Sequence, residues 1–248
     1  TPPTLSRFQG SLAVLFCGLM FSFGPLTFRA LREADEWQYL GHRSLSAGLV
    51  SAAIIVIAGR NPFKAVIDAG SRQFLAGLFM AAMFSLFVIA LSRVSAAFVL
   101  LMQATSPLYA AVLARIFLRE PVRRDTLLAI LIAGAGVVIM IGGNIGESDA
   151  IGIVLSILLA ITLGGYAVLI RSSPAQDPGV PVLVGGLLAG MVGVVVSAVI
   201  GPGVAVPGFD LLMAFITGGL LIGVFAPIWN YAHRFVPPAD VSLLLITE

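Results

Sequence analysis

Long apolar segments without charged residues alternate along the chain with short segments that carry charges, proline or glycine. The apolar segments predict eight membrane spans, at residues 11–28, 44–59, 73–92, 95–117, 126–143, 150–170, 181–201 and 210–232. A ninth begins near Pro238. An α-helix needs about 17 to 25 apolar residues to cross a hydrocarbon core of about 30 Å, and nearly all of these segments reach that length. The pattern therefore predicts an all-α integral membrane protein.

The composition supports a lipid environment. Of the 248 residues, 59% are hydrophobic and 10% are charged, whereas a soluble domain has about 25% charged residues. The net charge of +2 is spread between apolar segments, so the sequence lacks the clustered basic patch of a nucleic-acid-binding surface. The predicted partners are the lipid bilayer and a small solute, and no nucleic acid.

An internal repeat appears when residues 74–106 are aligned with residues 216–248, at an offset of 142 residues. Eight of the 33 pairs are identical. The offset spans five predicted helices, an odd number, so the two copies are expected to face opposite sides of the membrane. This predicts two inverted five-helix repeats, at residues 8–145 and 150–248, and ten helices when complete. Because the counterpart of the fifth span would follow residue 248, the sequence is expected to be a fragment, truncated within the fourth helix of its second repeat.

The positions of lysine and arginine predict the orientation. With the N-terminus in the cytoplasm, ten of the 14 cationic residues lie on the cytoplasmic side, in agreement with the positive-inside rule. The connection from Arg29 to Arg43 is an exception, because it places three arginines outside.

Three segments carry a resemblance to a known family. ALSRVSAAFVLLMQATSPLYAAVLARIFLREPVRRDTLLAILIAGAGVVIMIGG, from Ala90 to Gly143, resembles the fourth and fifth helices of EamA-type transporters in the drug/metabolite transporter superfamily. NYAHRFVPPADVSLLLITE, from Asn230, is similar to the family's eighth-to-ninth helix transition, and FSFGPLTFRALREADEWQYLGHRSLSAGL to its first two helices. The resemblance implies ten helices, both termini in the cytoplasm, a bacterial inner (plasma) membrane location, and transport of small metabolites, often export of amino acids or related compounds.

Prolines inside two spans mark candidate cavity residues. Pro107 has no N–H to donate to the carbonyl of Gln103, which is the one amide side chain in its span. This arrangement predicts either a polar site that binds solute or a kink in which Gln103 bonds a neighbouring helix. Pro227 precedes Trp229 and Asn230, which are expected either to line a cavity or to form an interfacial belt.

Three more polar residues are candidates for a central cavity lined by spans one, three, four, six, eight and nine. Tyr166 lies in span six. Arg43, at the predicted start of span two, would attract an anionic or zwitterionic solute at the outer mouth or, as the commoner case, snorkel at the interface. Glu248 would be the one carboxylate well inside an apolar segment, which suggests a cavity or a proton path if the helix continues.

Pairs of small residues at a spacing of four occur in three spans and predict close helix packing. A static packing role is favoured over a sliding surface for alternating access. The pairs are Gly77 with Ala81, Gly186 with Gly190, and Gly219 with Gly223.

Enzymatic chemistry is not supported by the sequence. It has two histidines, both at predicted helix ends, one cysteine, no HExxH motif and no GxxxxGK[ST] motif, so no metal or other cofactor is predicted. We expect a secondary transporter, a monomer or homodimer, that moves a small polar or amphipathic metabolite and is driven by the solute gradient or by protons. The alternatives are a membrane-embedded enzyme acting on lipids and a non-transporting scaffold.

Overall fold

The computed structural model describes residues 7–119, 132, 134–136, 138–139, 149–172 and 177–232. The helices in this part of the chain are α1 (Arg7–Phe21), α2 (Phe23–Arg29), α3 (Glu36–Ile57), α4 (Pro62–Arg93), α5 (Ala96–Gln103), α6 (Ser106–Phe117), α7 (Ala150–Arg171), α8 (Val180–Val199), α9 (Gly208–Phe215), a π-helix (Ile216–Val224) and α10 (Phe225–Ala232).

The described residues contain seven helical segments that are long and apolar enough to cross a membrane. They are Gln9–Arg29, Glu36–Ile57, Pro62–Arg93, Ala96–Phe117, Ala150–Ile170, Val180–Val199 and Gly208–Ala232. These segments confirm an all-α, multi-pass integral membrane protein. Most of the predicted span 126–143 lies outside the described residues, and so does the whole predicted ninth span, including Glu248.

The second span begins earlier than predicted, at Glu36 rather than at residue 44. Asp35 forms a capping box with Gln38: the Gln38 N–H donates to Asp35 Oδ1 at 2.7 Å, and the Asp35 N–H donates to Gln38 Oε1 at 3.1 Å. The helix therefore includes residues that were expected to form an outer loop. Arg43 is consequently inside a membrane-spanning helix, and the prediction that it starts the span is wrong.

Helix α4 is interrupted at Gly70, which adopts φ +75°. This left-handed conformation carries no steric penalty for glycine. Before it, Pro62–Ala69 forms a short helical segment whose N-terminus is capped by the Asn61 side chain, which accepts from the Phe63 N–H at 2.9 Å. The predicted span began near residue 73 because Lys64, Asp68 and Arg72 carry charges, although the helix begins at Pro62.

Contacts among the loops and helix ends define two faces of the bundle. On the first face, the loop at residues 30–35 contacts Asp210, and Arg93 pairs with Asp149 at 2.6 Å. On the second face, Asn230 donates to the carbonyl of Pro178 at 2.9 Å. Residues 74–93 therefore end at the first face whereas residues 216–232 end at the second, so the described parts of the two aligned segments run in opposite directions.

Glycines allow α3 and α8 to pack with their backbones in contact. A methyl group built at Gly193 would overlap the nitrogen of Gly41, and one at Gly186 would lie 2.5 Å from the nitrogen of Gly48. Gly190 packs against α3 between these two contacts. Lipid offers no hydrophobic driving force for helix association, so close approach of this kind is a main source of attraction.

The opposite side of α8 packs against α4 through the pair at residues 77 and 81. A methyl group at Gly77 would lie 2.5 Å from Val184 Cγ1, and one at Gly185 would lie 3.0 Å from the nitrogen of Ala81. Helix α8 is thus held between α3 and α4.

In the last described span, the glycines that contact α3 are Gly218 and Gly223, not the predicted pair Gly219 and Gly223. Gly223 packs against Val50 of α3, but a methyl group at Gly219 would meet the ring of Phe215 in its own span at 2.9 Å. Gly218 instead contacts α3. Hydrogen bonds in a π-helix run between residues five apart, so Gly218 and Gly223 share one face where an α-helical spacing of four predicts Gly219.

Candidate functional site

A cavity of about 120 Å³ lies among the helices. Its lining comes from six of the seven described spans, all except α8. Four of the lining residues carry polar groups and the others are mainly phenylalanine, leucine and methionine. The polar ones are Arg43, Gln103, Thr217 and Trp229.

Arg43 is the cation of this cavity. Its side chain is buried, with the residue 4% exposed, and Nε and Nη1 have no hydrogen-bond partner among the described residues. Its guanidinium carbon lies 5.2 Å from the ring centroid of Phe84 and 5.6 Å from that of Phe87. A desolvated cation–π contact contributes about 2 kcal/mol, whereas burying an ion costs several kcal/mol. The two rings therefore offset part of the cost and leave a cation that an anion would stabilise.

The backbone of Arg43 is fixed by contacts on the side of α3 that faces the π-helix. The Ser46 hydroxyl donates to the Arg43 carbonyl at 2.8 Å, and the same carbonyl packs against the Cα of Gly218. Because α3 continues without a break from Glu36 to Ile57, the helix holds this side chain at the depth of the cavity.

Three hydroxyl groups meet one helical turn from Arg43. The Tyr39 hydroxyl lies 3.1 Å from Thr27 Oγ1 and donates to Thr217 Oγ1 at 3.1 Å; the two threonine hydroxyls also contact each other. This hydroxyl triad connects α2, α3 and the π-helix beside the cavity. The sequence interpretation missed it, because its members are about 10 to 190 residues apart and no local pattern relates them.

Gln103 reaches the cavity from the end of α5. The helix is interrupted at Ala104 and Thr105, and α6 begins at Ser106 with Pro107 in its first turn. Pro107 has no N–H to donate to the carbonyl of Gln103, and the break in the helix lies between these two residues.

Tyr166 and Asn230 lie together but do not line the cavity. The Tyr166 hydroxyl donates to Asn230 Oδ1 at 2.7 Å, and Asn230 Nδ2 donates to the Pro178 carbonyl. The ring of Tyr166 stacks on that of Trp229, with a centroid distance of 6.3 Å and an interplanar angle of 11°. These two residues support Trp229, which follows Pro227 in α10 and does line the cavity.

The first face is closed by a buried carboxylate. Asp210 is 1% exposed and accepts three backbone N–H groups, from Arg32 at 3.0 Å, Glu33 at 2.9 Å and Ala34 at 2.8 Å. Gln38 adds bonds to the carbonyls of residues 203 and 205 at 2.8 and 2.9 Å. These contacts join the loop between α2 and α3, and the first turn of α3, to the beginning of the last described span and to the segment that precedes it.

A second carboxylate at the first face, that of Asp149, is partly exposed. The Arg93 guanidinium, which donates to Oδ2 at 2.6 Å, lowers the pKa of Asp149 below its ordinary value, and the backbone N–H of Ile151, 2.9 Å from Oδ1, lowers it further. On the second face, Arg60 and Asp177 form a corresponding ion pair.

Comparison with known proteins identifies a family and a shared fold for this chain. A sequence model of the EamA-like transporter family matches residues 8–142, more than half of the chain. No curated protein matches the sequence. One protein of known crystal structure, 18% identical in sequence, superposes with a TM-score of 0.70 over 97% of this chain and 85% of its own, and so shares the fold. The chain belongs to the EamA-like transporter family, within the drug/metabolite transporter superfamily.

Proposed function

We propose that the protein is a secondary transporter that exports a small metabolite, such as an amino acid or a related compound, by alternating access. The observation that carries the proposal is a cavity, framed by six membrane spans, that contains a buried cation and further polar groups. Ionisable groups are expensive at membrane depth, and they are retained mainly along substrate and ion pathways. The proposed solute site comprises Arg43, Gln103, Thr217 and Trp229.

Alternating access would require each face to open in turn. The contacts of Asp210 with the loop at 30–35 would break when the first face opens. The Arg60–Asp177 pair and the Asn230–Pro178 bond would break when the second face opens.

The proposed orientation puts the N-terminus and the second face in the cytoplasm of a bacterial cell. The second-face segments hold most of the arginines and lysines, and the inclusion of Arg43 within a helix removes one cation from the opposite side. Energy would come from the gradient of the solute or from protons; Glu248 is the proposed proton site in the latter case. The working unit would be a monomer or a homodimer.

Two other functions predict different observations. An enzyme acting on lipids needs an acid, a base or metal ligands at one depth, and the described lining of the cavity contains no carboxylate and no histidine. A non-transporting scaffold needs no aqueous access to the cavity. The transporter proposal fits the buried arginine, whose Nε and Nη1 have no hydrogen-bond partner in the described part of the chain, better than either alternative does.

Untargeted metabolite profiling tests the proposal directly. Cells that lack the intact gene are compared with the same cells carrying it on a plasmid, and the solutes that differ are then assayed for flux in proteoliposomes. We expect one class of small metabolite to accumulate inside the deficient cells and to cross liposomes only when the protein is present. An unchanged metabolite profile, together with no flux of any candidate, would contradict the proposed function.

A further inference from the structure

We propose that the cavity is a binding site for a monocarboxylate with an apolar body of about one ring in size, and that the Arg43 guanidinium binds the carboxylate. This assignment rests on the proposed function for its role in transport, but binding itself is independent of transport and is tested separately.

The first argument is the state of the arginine. Nε and Nη1 are buried and have no hydrogen-bond partner among the described residues, and Arg43 is one of the residues that line the cavity. A guanidinium is a planar array of donors whose geometry matches the two oxygens of a carboxylate. Buried donors are normally satisfied, so those of Arg43 indicate a ligand that supplies acceptors.

The second argument concerns charge. Arg43 is the one charged residue in the described lining of the cavity, and the remaining polar lining groups are the amide of Gln103, the hydroxyl of Thr217 and the indole of Trp229. A carboxylate would neutralise this site. The ammonium group of a zwitterionic amino acid would find no carboxylate in the described lining, so a carboxylic acid without an amine is favoured.

The third argument concerns the body of the ligand. Phe84 and Phe87 hold the guanidinium from the side, and Met80, Met83 and Leu163 line the same space. The cavity volume is about 120 Å³. An apolar cavity of about 150 Å³ in another protein binds benzene, so the two are of similar size. An aromatic or branched aliphatic body of that size would fill the space, and apolar walls favour it over a polyhydroxylated one.

Equilibrium binding to the purified protein in lipid nanodiscs tests the assignment. The probes are radiolabelled phenylacetate, its neutral analogue phenylacetamide, and the zwitterion phenylalanine, which share a ring and differ in charge. We expect phenylacetate to bind about tenfold or more tightly than either analogue, because only its carboxylate forms charge-assisted bonds without adding an unpaired ammonium.

Variants identify the residue. Arg43→Met keeps a similar length without the charge and should weaken phenylacetate binding about tenfold or more, while Arg43→Lys should retain part of it. Arg72→Met is the matched control, because Arg72 is exposed and donates to the Ser172 carbonyl away from the cavity; its affinity should equal that of the unmodified protein. Helical circular dichroism and gel filtration report whether each variant is folded, and the comparison of the three probes needs no variant.

The outcomes separate the two proposals. Equal binding of the three probes, binding that is unchanged in Arg43→Met, or no binding of any probe would overturn the carboxylate site. Transport of a different solute would then still support the proposed function. Arg43-dependent binding of phenylacetate without flux of any solute would retain the site and contradict the transporter.

Discussion

The carbonyl oxygen of Arg43 packs against the Cα of Gly218 so closely that a methyl group at position 218 would overlap it. The contact joins the backbone of α3, at the residue that supplies the cavity's cation, to the π-helix, which supplies Thr217 to the same cavity. Separation or sliding of α3 and the π-helix at this point would therefore change the packing around Arg43.

Gly218→Ala should destabilise the protein more than any other glycine substitution in its span. The methyl group cannot be accommodated by a side-chain rotation, because the neighbour is backbone, and overpacking of this kind typically costs about 1 to 3 kcal/mol or more. Thermal unfolding in detergent measures the loss. Gly208→Ala is the control, since no atom lies within 4 Å of the added methyl group; equal melting temperatures for the two variants would contradict the packing described.

Tyr166→Phe should weaken the attachment of the last described span to α7. The substitution removes the hydroxyl that donates to Asn230 Oδ1 and leaves that buried oxygen unsatisfied, at a cost of about 1 to 3 kcal/mol. Chemical or thermal unfolding reports the stability, and the fluorescence of Trp229, which stacks on the ring, reports local change. Tyr109→Phe, at a partly exposed tyrosine, is the control and should change the stability little. If this control loses as much stability as Tyr166→Phe does, the bond to Asn230 is not the cause of the loss.

Asp149 should titrate below the ordinary aspartate pKa of about 3.9 because Arg93 and the Ile151 N–H stabilise its charged form. A lowered folded-state pKa stabilises the protein above the unfolded-state pKa, and this contribution is lost as the pH falls through the folded value. Carbon NMR of labelled aspartate measures the titration, and Arg93→Gln should raise the midpoint. An unchanged midpoint in that variant would exclude the ion pair as the cause.

The apolar segments were sufficient to predict an all-α membrane protein, but they misplaced its most informative residue. A rule that ends spans at charged residues excludes Arg43 from the membrane, although Asp35 and Gln38 are spaced as a capping box and signalled the earlier helix start. Phe84 and Phe87 contact the guanidinium and offset part of the cost of the charge there, and neither ring is near Arg43 in sequence.

The remaining differences also depend on tertiary contacts. The spacing of Gly219 and Gly223 predicts a shared face only if the helix is α-helical, and the π-helix transfers that role to Gly218. Gly41 and Gly48 could have been found from their spacing of seven residues, two helical turns, which matches that of Gly186 and Gly193. The bond between Tyr166 and Asn230 has no such local signal.

Thiol labelling tests most directly whether the cavity is an aqueous site inside a membrane transporter. In a Cys17→Ala background, Gln103→Cys places a thiol on the cavity, and Leu101→Cys places one on the 56% exposed outer surface of the same helix, where lipid would surround it. A water-soluble maleimide reacts with thiolates, which form in water and not in hydrocarbon. We predict labelling at position 103 and none at position 101; no labelling at position 103 from either side of the membrane, or equal labelling at both positions, would contradict the account.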